Sequence, residues 1–180
     1  MSEIQQANLS TDQYFMAQAL LQADKAEQIG EIPVGAVVVC DDKIIAKGFN
    51  QSITSHDPSA HAEMIALRAA GKVIENYRML DCTLYVTLEP CPMCAGLLVH
   101  SRIKRVVFGA KDLKTGACGS IFNLAQHQQL NHQVDIEQGI LEQQCADKLS
   151  NFFKRRRAEK KAKKKALRAQ QALEQVNNNK

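Results

Sequence analysis

Two short segments, His61-Ala62-Glu63 and Pro90-Cys91-Pro92-Met93-Cys94, constrain this chain most. Alone, each says little. A single histidine at a helix start is usually a core or surface residue, and an isolated C-x-x-C serves redox or structural roles. Together they say more, because each opens a helical stretch directly after a strand or loop. Cys91 and Cys94 are three apart, so they lie on one side of a first helical turn and can share one metal. His61 and Glu63 are two apart and do not share a helix face, but first-turn side chains can converge on a point beyond the helix end. Two helix N-termini aimed at one spot would surround a metal with His61, Cys91 and Cys94.

A His/Cys/Cys set suits zinc, one ion per subunit, and leaves the fourth tetrahedral position open. An open position marks a catalytic zinc; structural zinc is usually closed by four protein ligands. His56 and Cys82 are the candidates for closing it. Zinc with two thiolates and a neutral imidazole is uncharged, and the positive ends of two helix dipoles favour both thiolates and a bound hydroxide. Zinc also brings the pKa of its water down toward ~7. Glu63, outside the donor set, is then placed to act as general acid and base. Its bland alternative is a first-turn carboxylate stabilising its own helix.

The rest of the chain has to build a scaffold for those two turns. Residues 11–29 read as a helix, with Phe15, Ala19, Leu20, Ala23 and Ala26 at helical spacing, Ser10 or Thr11 as cap and Gly30 as stop. Val34 to Cys40 and Lys43 to Phe49 read as a hairpin around Asp41-Asp42. Residues 60–70 read as a helix burying Met64, Ile65 and Leu67, and 83–88 as a strand broken by Glu89-Pro90. Residues 92–101 read as a helix with proline at its first position. Residues 105–109 read as a strand, 111–120 as a loop, 121–129 as a short helix and 134–138 as a fifth strand. From Leu141 the chain reads as a helix with Cys145, Leu149, Phe152 and Phe153 facing the core. The apolar stripe fades beyond Arg157, which predicts fraying before Asn177. This order gives α/β, a three-layer α/β/α sandwich around a five-stranded mixed sheet, with an antiparallel opening hairpin and parallel crossovers later.

With 180 residues the chain is the size of one domain with a substantial core. No apolar run is long enough to span a membrane, and residues 1–10 lack a signal pattern, so the expectation is a cytoplasmic protein. In that compartment the remaining cysteines, Cys40, Cys82, Cys118 and Cys145, read as small buried residues. Charge is unevenly spread. Residues 1–153 carry 12 Lys and Arg against 17 Asp and Glu, a net −5; residues 154–180 carry 11 against 2, a net +9. The division expected is a zinc-dependent domain over 1–153 and a basic helical extension over 154–180, partly frayed. Such an extension suits a polyanion, or is a solvated helix that keeps the protein soluble.

The pattern H-x-E…P-C-x-x-C is a signature of zinc deaminases, and here the chain resembles the cytidine and deoxycytidylate deaminase superfamily. Asp57 to Glu63, Tyr85 to Cys91 and Met93 to Gly96 resemble the bacterial tRNA-specific adenosine deaminases within it. So do Pro33 to Ala36, His100 to Ile103, Val106 to Ala110, Lys114 to Ala117 and Phe152 to Arg157. The likeness covers roughly residues 10–165; Pro92 and the tail depart from the pattern. It implies a cytidine deaminase-like fold and a homodimer acting on a tRNA anticodon stem-loop. It also implies hydrolysis of adenosine to inosine at the wobble position of an arginine tRNA, by zinc-bound hydroxide with Glu63 as proton shuttle. It gives Asn50 a contact to the base or ribose, and places the Ala62 N–H and Pro90 carbonyl in the pocket. Asp112 falls near the nucleotides beside the target, and Phe153, Arg155 and Arg156 fall among the substrate contacts. The bland alternatives are a strand end for Asn50 and a turn residue for Asp112.

Two other readings stand beside this one. A deaminase of free guanine, cytosine or a nucleotide would share the zinc site but would not need the basic extension. A non-catalytic RNA-binding module with structural zinc would need a fourth protein ligand.

Overall fold

The computed structural model describes residues 10–178. The first nine residues of the expected 1–153 domain and the last two of the expected extension lie outside the described residues. Helix α1 (Thr11–Gln28) starts on Ser10: its hydroxyl accepts the Gln13 N–H while the Gln13 side chain accepts the Ser10 N–H. Strands β1 (Gly35–Cys40) and β2 (Lys43–Phe49) form the hairpin. Asp41 and Asp42 take φ of 48° and 58° between them, as a type I′ turn requires. Then follow α2 (Ala62–Val73), β3 (Cys82–Leu88), α3 (Pro92–His100), β4 (Arg105–Ala110), β5 (Asp135–Gln138) and α4 (Glu142–Asn178).

The five strands form one mixed sheet in the order β2-β1-β3-β4-β5. β1 is antiparallel to both β2 and β3, whereas β3, β4 and β5 run parallel. The β2–α2–β3 connection therefore steps over β1 and lands parallel to β2. Alternate residues of each strand feed opposite cores. Val38, Leu84, Val86, Val106 and Phe108 pack with Leu67 and Ala70 of α2 and Leu98 of α3. Val37, Val39, Tyr85 and Val107 pack with Phe15, Met16 and Ala19 of α1 and Cys145 of α4. The result is the three-layer α/β/α sandwich.

Three expectations change. Residues 121–129 form no helix. They are held as a loop by the Cys118–Asn123 bridge, the Leu124 N–H to Ala117 carbonyl bond and an Asn123–Gln126 turn, and the glutamines there supply no apolar stripe. In α2 the buried residues are Ala62, Glu63, Ala66, Leu67 and Ala70, while Met64 and Ile65 are only half-buried. Close approach governs the crossing point: a Cβ on Gly48 would sit 2.3 Å from the Ala62 carbonyl and 2.6 Å from the Ala66 nitrogen, so alanine and glycine meet where α2 crosses β2, and Leu67 fills the core beside them. In α4, Phe152 is buried but Phe153 is 41% exposed, since adjacent helix positions cannot share a face. All side chains from Phe153 through Arg168 are exposed. The helix runs to Asn178. Its Ala, Lys, Arg, Glu and Gln content sustains helix without packing. Among the described residues no helix is long and apolar enough to cross a membrane.

Candidate active site

The two sequence segments meet at one point. His61 is the cap residue of α2 and Cys91 the cap residue of α3, both with extended backbone, and Pro92 occupies the first helical position of α3. Cys94 lies one turn in and is fully buried. The His61 Nδ1 atom stands 3.7 Å from Cys91 Sγ and 3.6 Å from Cys94 Sγ. All three donor atoms lie within 4.8 Å of one another, and no fourth Cys, His, Asp or Glu joins the group among the described residues. A tetrahedron with zinc bonds of about 2.1 Å to nitrogen and about 2.3 Å to sulfur has N···S edges of about 3.6 Å. The observed separations fit that edge, so the residues fit zinc.

His56 and Cys82 do not close the set. His56 is exposed at the loop after β2, with φ of 51°. Cys82 starts β3, paired across the sheet with Cys40, at the opposite end of the strand from Pro90. Cys82, Cys118 and Cys145 are buried and Cys40 is half-buried.

The donor set is electrostatically prepared for a cation. Hydrogen bonds from the Cys94 thiol, the His61 ring and the Cys94 backbone N–H pull the Cys91 thiol down to about 4. The helix N-terminus adds its own positive potential. Cys94 is pushed far up, first by its hydrogen bond to Cys91 and then by burial. His61 is raised, chiefly by its bond to Cys91. Glu63, only 4% exposed, is raised by burial, and its carboxyl interacts with Cys94, His61 and Cys91.

The other sequence candidates are variously engaged. The Asn50 Oδ1 accepts the Ala62 N–H at 2.9 Å, tying the end of β2 to the start of α2. The Pro90 carbonyl accepts the Ala117 N–H at 2.9 Å. The Asp112 carboxylate folds its own turn, accepting the N–H of Lys114 and Thr115 and the Thr115 hydroxyl. Arg155 bonds Glu27 of α1 at 2.7 Å and lies 5.5 Å from the Phe152 ring centre, and Arg156 pairs with Glu159. Sequence reasoning missed two buried carboxylates. Glu31, 1% exposed, accepts the N–H and hydroxyl of Thr54 in the loop before α2. Glu89, 2% exposed, gathers the loop after β4. An apolar cavity of about 460 Å³, lined by Leu67, Met79, Leu97 and His100 among others, includes none of these site residues.

The cytidine and deoxycytidylate deaminase zinc-binding region, as a family, matches residues 9–110. A tRNA-specific adenosine deaminase of Haemophilus influenzae is 56% identical over 159 residues, covering 88% of this chain and 92% of that protein. One from Bacillus subtilis is 46% identical over 159 residues, covering 88% and 99%. A solved structure from work on A-to-I editing by tRNA:A34 deaminases at the wobble position of transfer RNA superposes with a TM-score of 0.73. It is 38% identical, with coverage of 76% of this chain and 99% of that one. By domain and by relatives, the chain belongs to the cytidine and deoxycytidylate deaminase family, within its tRNA-specific adenosine deaminase branch.

Proposed function

We propose that this protein converts adenosine to inosine at the wobble position of a tRNA, an arginine tRNA, with His61, Cys91 and Cys94 as zinc ligands and Glu63 as proton carrier. The observation that carries the reading is the three-donor cluster with the buried Glu63 carboxyl against it. Zinc held there supplies Lewis acidity, which brings the ionisation of water toward neutral pH. The chain's own residues do the rest. Glu63 takes a proton from the attacking water at a carboxylate oxygen and delivers it to the leaving nitrogen. Oxygen adds at C6, the C6–N bond breaks and ammonia departs. Burial supports this role, since a raised carboxyl holds and returns a proton more readily than an exposed one.

Asn50 fixes the start of α2 through its Oδ1 and offers its NH₂ group to base or ribose. The Ala62 and Pro90 backbone lines the pocket, and Asp112 borders the neighbouring nucleotides. Phe153 presents an exposed ring for stacking, and Arg155 and Arg156 begin the basic face toward phosphate. The working unit is a homodimer in the cytoplasm, built from a 1–153 domain and a 154–180 extension; sedimentation at micromolar concentration checks the dimer.

Ammonia release tests the reading. With transcribed arginine tRNA, free adenosine, guanine and cytosine as substrates, release from the tRNA alone is expected. Release from guanine or cytosine but not from tRNA would move the protein to the free-base deaminases. The variant Glu63→Ala should lose about 10²–10⁴ in turnover while keeping one zinc per chain, and loss of zinc would overturn the role given to Glu63.

A further inference from the structure

Glu89 sits immediately before Pro90-Cys91 and is 2% exposed. Its carboxylate accepts four donors. Oε2 takes the Asp112 N–H at 3.1 Å and the Ser120 hydroxyl. Oε1 takes the Cys118 N–H at 3.0 Å and the Ser120 N–H at 3.0 Å. All four come from one connection, the loop between β4 and β5. A charge buried this deeply is tolerated where several donors converge on it, so the carboxylate and the loop order each other.

The loop fits round the carboxylate without slack. A Cβ on Gly116 would sit 2.4 Å from Glu89 Oε2 and 2.6 Å from the Asp112 carbonyl. The same loop reaches the donor cluster. The Ala117 N–H binds the Pro90 carbonyl beside Cys91, and the buried Cys118 thiol lies within the electrostatic reach of Glu63 and Cys91.

We propose that Glu89 is a positioning residue. It holds loop 111–120 as a fixed wall of the substrate pocket and so sets how tightly the nucleotides beside the target are bound, leaving metal binding and proton transfer to other residues. This rests on the tRNA-deaminase reading above. Glu63 and the three donors lie at the starts of α2 and α3, whereas the Glu89 partners all lie on the loop, so the two functions are separable by substitution.

The test is Glu89→Gln in the full-length, zinc-loaded protein. The amide oxygen can keep the Cys118 and Ser120 N–H groups, but the new NH₂ then faces the Asp112 N–H. Amide exchange over residues 112–120 should quicken about tenfold, with β3 and α3 unchanged. KM for tRNA should rise about tenfold and kcat stay within about threefold, with one zinc per chain. Unchanged exchange over 112–120, a fall in kcat at constant KM, or loss of zinc would each overturn the proposal. Should Glu89→Gln not fold, Ser120→Ala decides: it removes one donor and should shift exchange and KM in the same direction, by about threefold. Wild type inactive on tRNA refutes the proposed function, whereas active wild type with unaltered exchange in the variant refutes only the role of Glu89.

Discussion

At Asp12 one carboxylate joins the start of α1 to the sheet. It accepts the Tyr85 hydroxyl of β3 at 2.7 Å and two guanidinium N–H groups of Arg105 of β4, at 2.9 and 2.8 Å. The Arg105 bonds hold the Asp12 carboxyl below its ordinary 3.8, with Tyr85 adding to them. A carboxylate depressed in the folded state stabilises the protein above its unfolded value, and that contribution fades as pH falls through the folded one. Asp12→Asn should therefore cost about 1 kcal/mol near pH 7, and lower Tm by about 2–4 °C for a chain of this size. The gap from wild type should close below pH 3.8; a gap of equal size in thermal melts from pH 7 to pH 3 would contradict the pairing. The candidate donors His61, Cys91 and Cys94, with Glu63 beside them, are legible in the sequence because each stands at a first helical turn, where spacing of two or three residues determines direction. Glu89 is not legible. Its partners lie 23 to 31 residues away, and a glutamate before proline at a strand end reads as punctuation.

The elements matter through how close they come. α2 rests on β2 at Gly48, and the helix start pressed there carries both His61 and Glu63. Gly48→Ala should cost about 1–3 kcal/mol by overpacking. It should also weaken zinc binding about tenfold, since a shifted helix start would move the His61 nitrogen away from its 3.6–3.7 Å separation from the Cys91 and Cys94 sulfurs. Zinc titration against a chromogenic chelator reads the second effect; unchanged zinc affinity with lowered Tm would show that the α2 start does not position the donor. Most elements are readable from period and punctuation, including the Asp41-Asp42 hairpin and the proline start of α3. What is not readable depends on residues distant in sequence. The 121–129 stretch has helix-compatible residues, but Ala117, Cys118 and Val134 supply its hydrogen bonds. The placement of β1 between β2 and β3 likewise depends on which faces are apolar once the sheet is assembled.

Across the whole molecule, an acidic body carries a basic helix. α4 docks by its N-terminal part, where Lys148 pairs with Asp24 and Glu27 and Arg155 with Glu27. Beyond these pairs Lys160, Lys161, Lys163, Lys164 and Lys165 are exposed. Replacing those five by glutamine should weaken tRNA binding and flatten its salt dependence. The slope of log K on log salt should shrink by about 0.7–0.9 for every phosphate that is no longer neutralised. Tm should hold, because these side chains touch no core. A wild-type affinity indifferent to salt would show that the extension does not engage RNA. Deamination of one tRNA adenosine at this zinc site is read by sequencing. Transcribed arginine tRNA is incubated with the zinc-loaded protein, reverse-transcribed and sequenced. An A-to-G change confined to the wobble position is the predicted result; an unchanged wobble adenosine with zinc in place would contradict it.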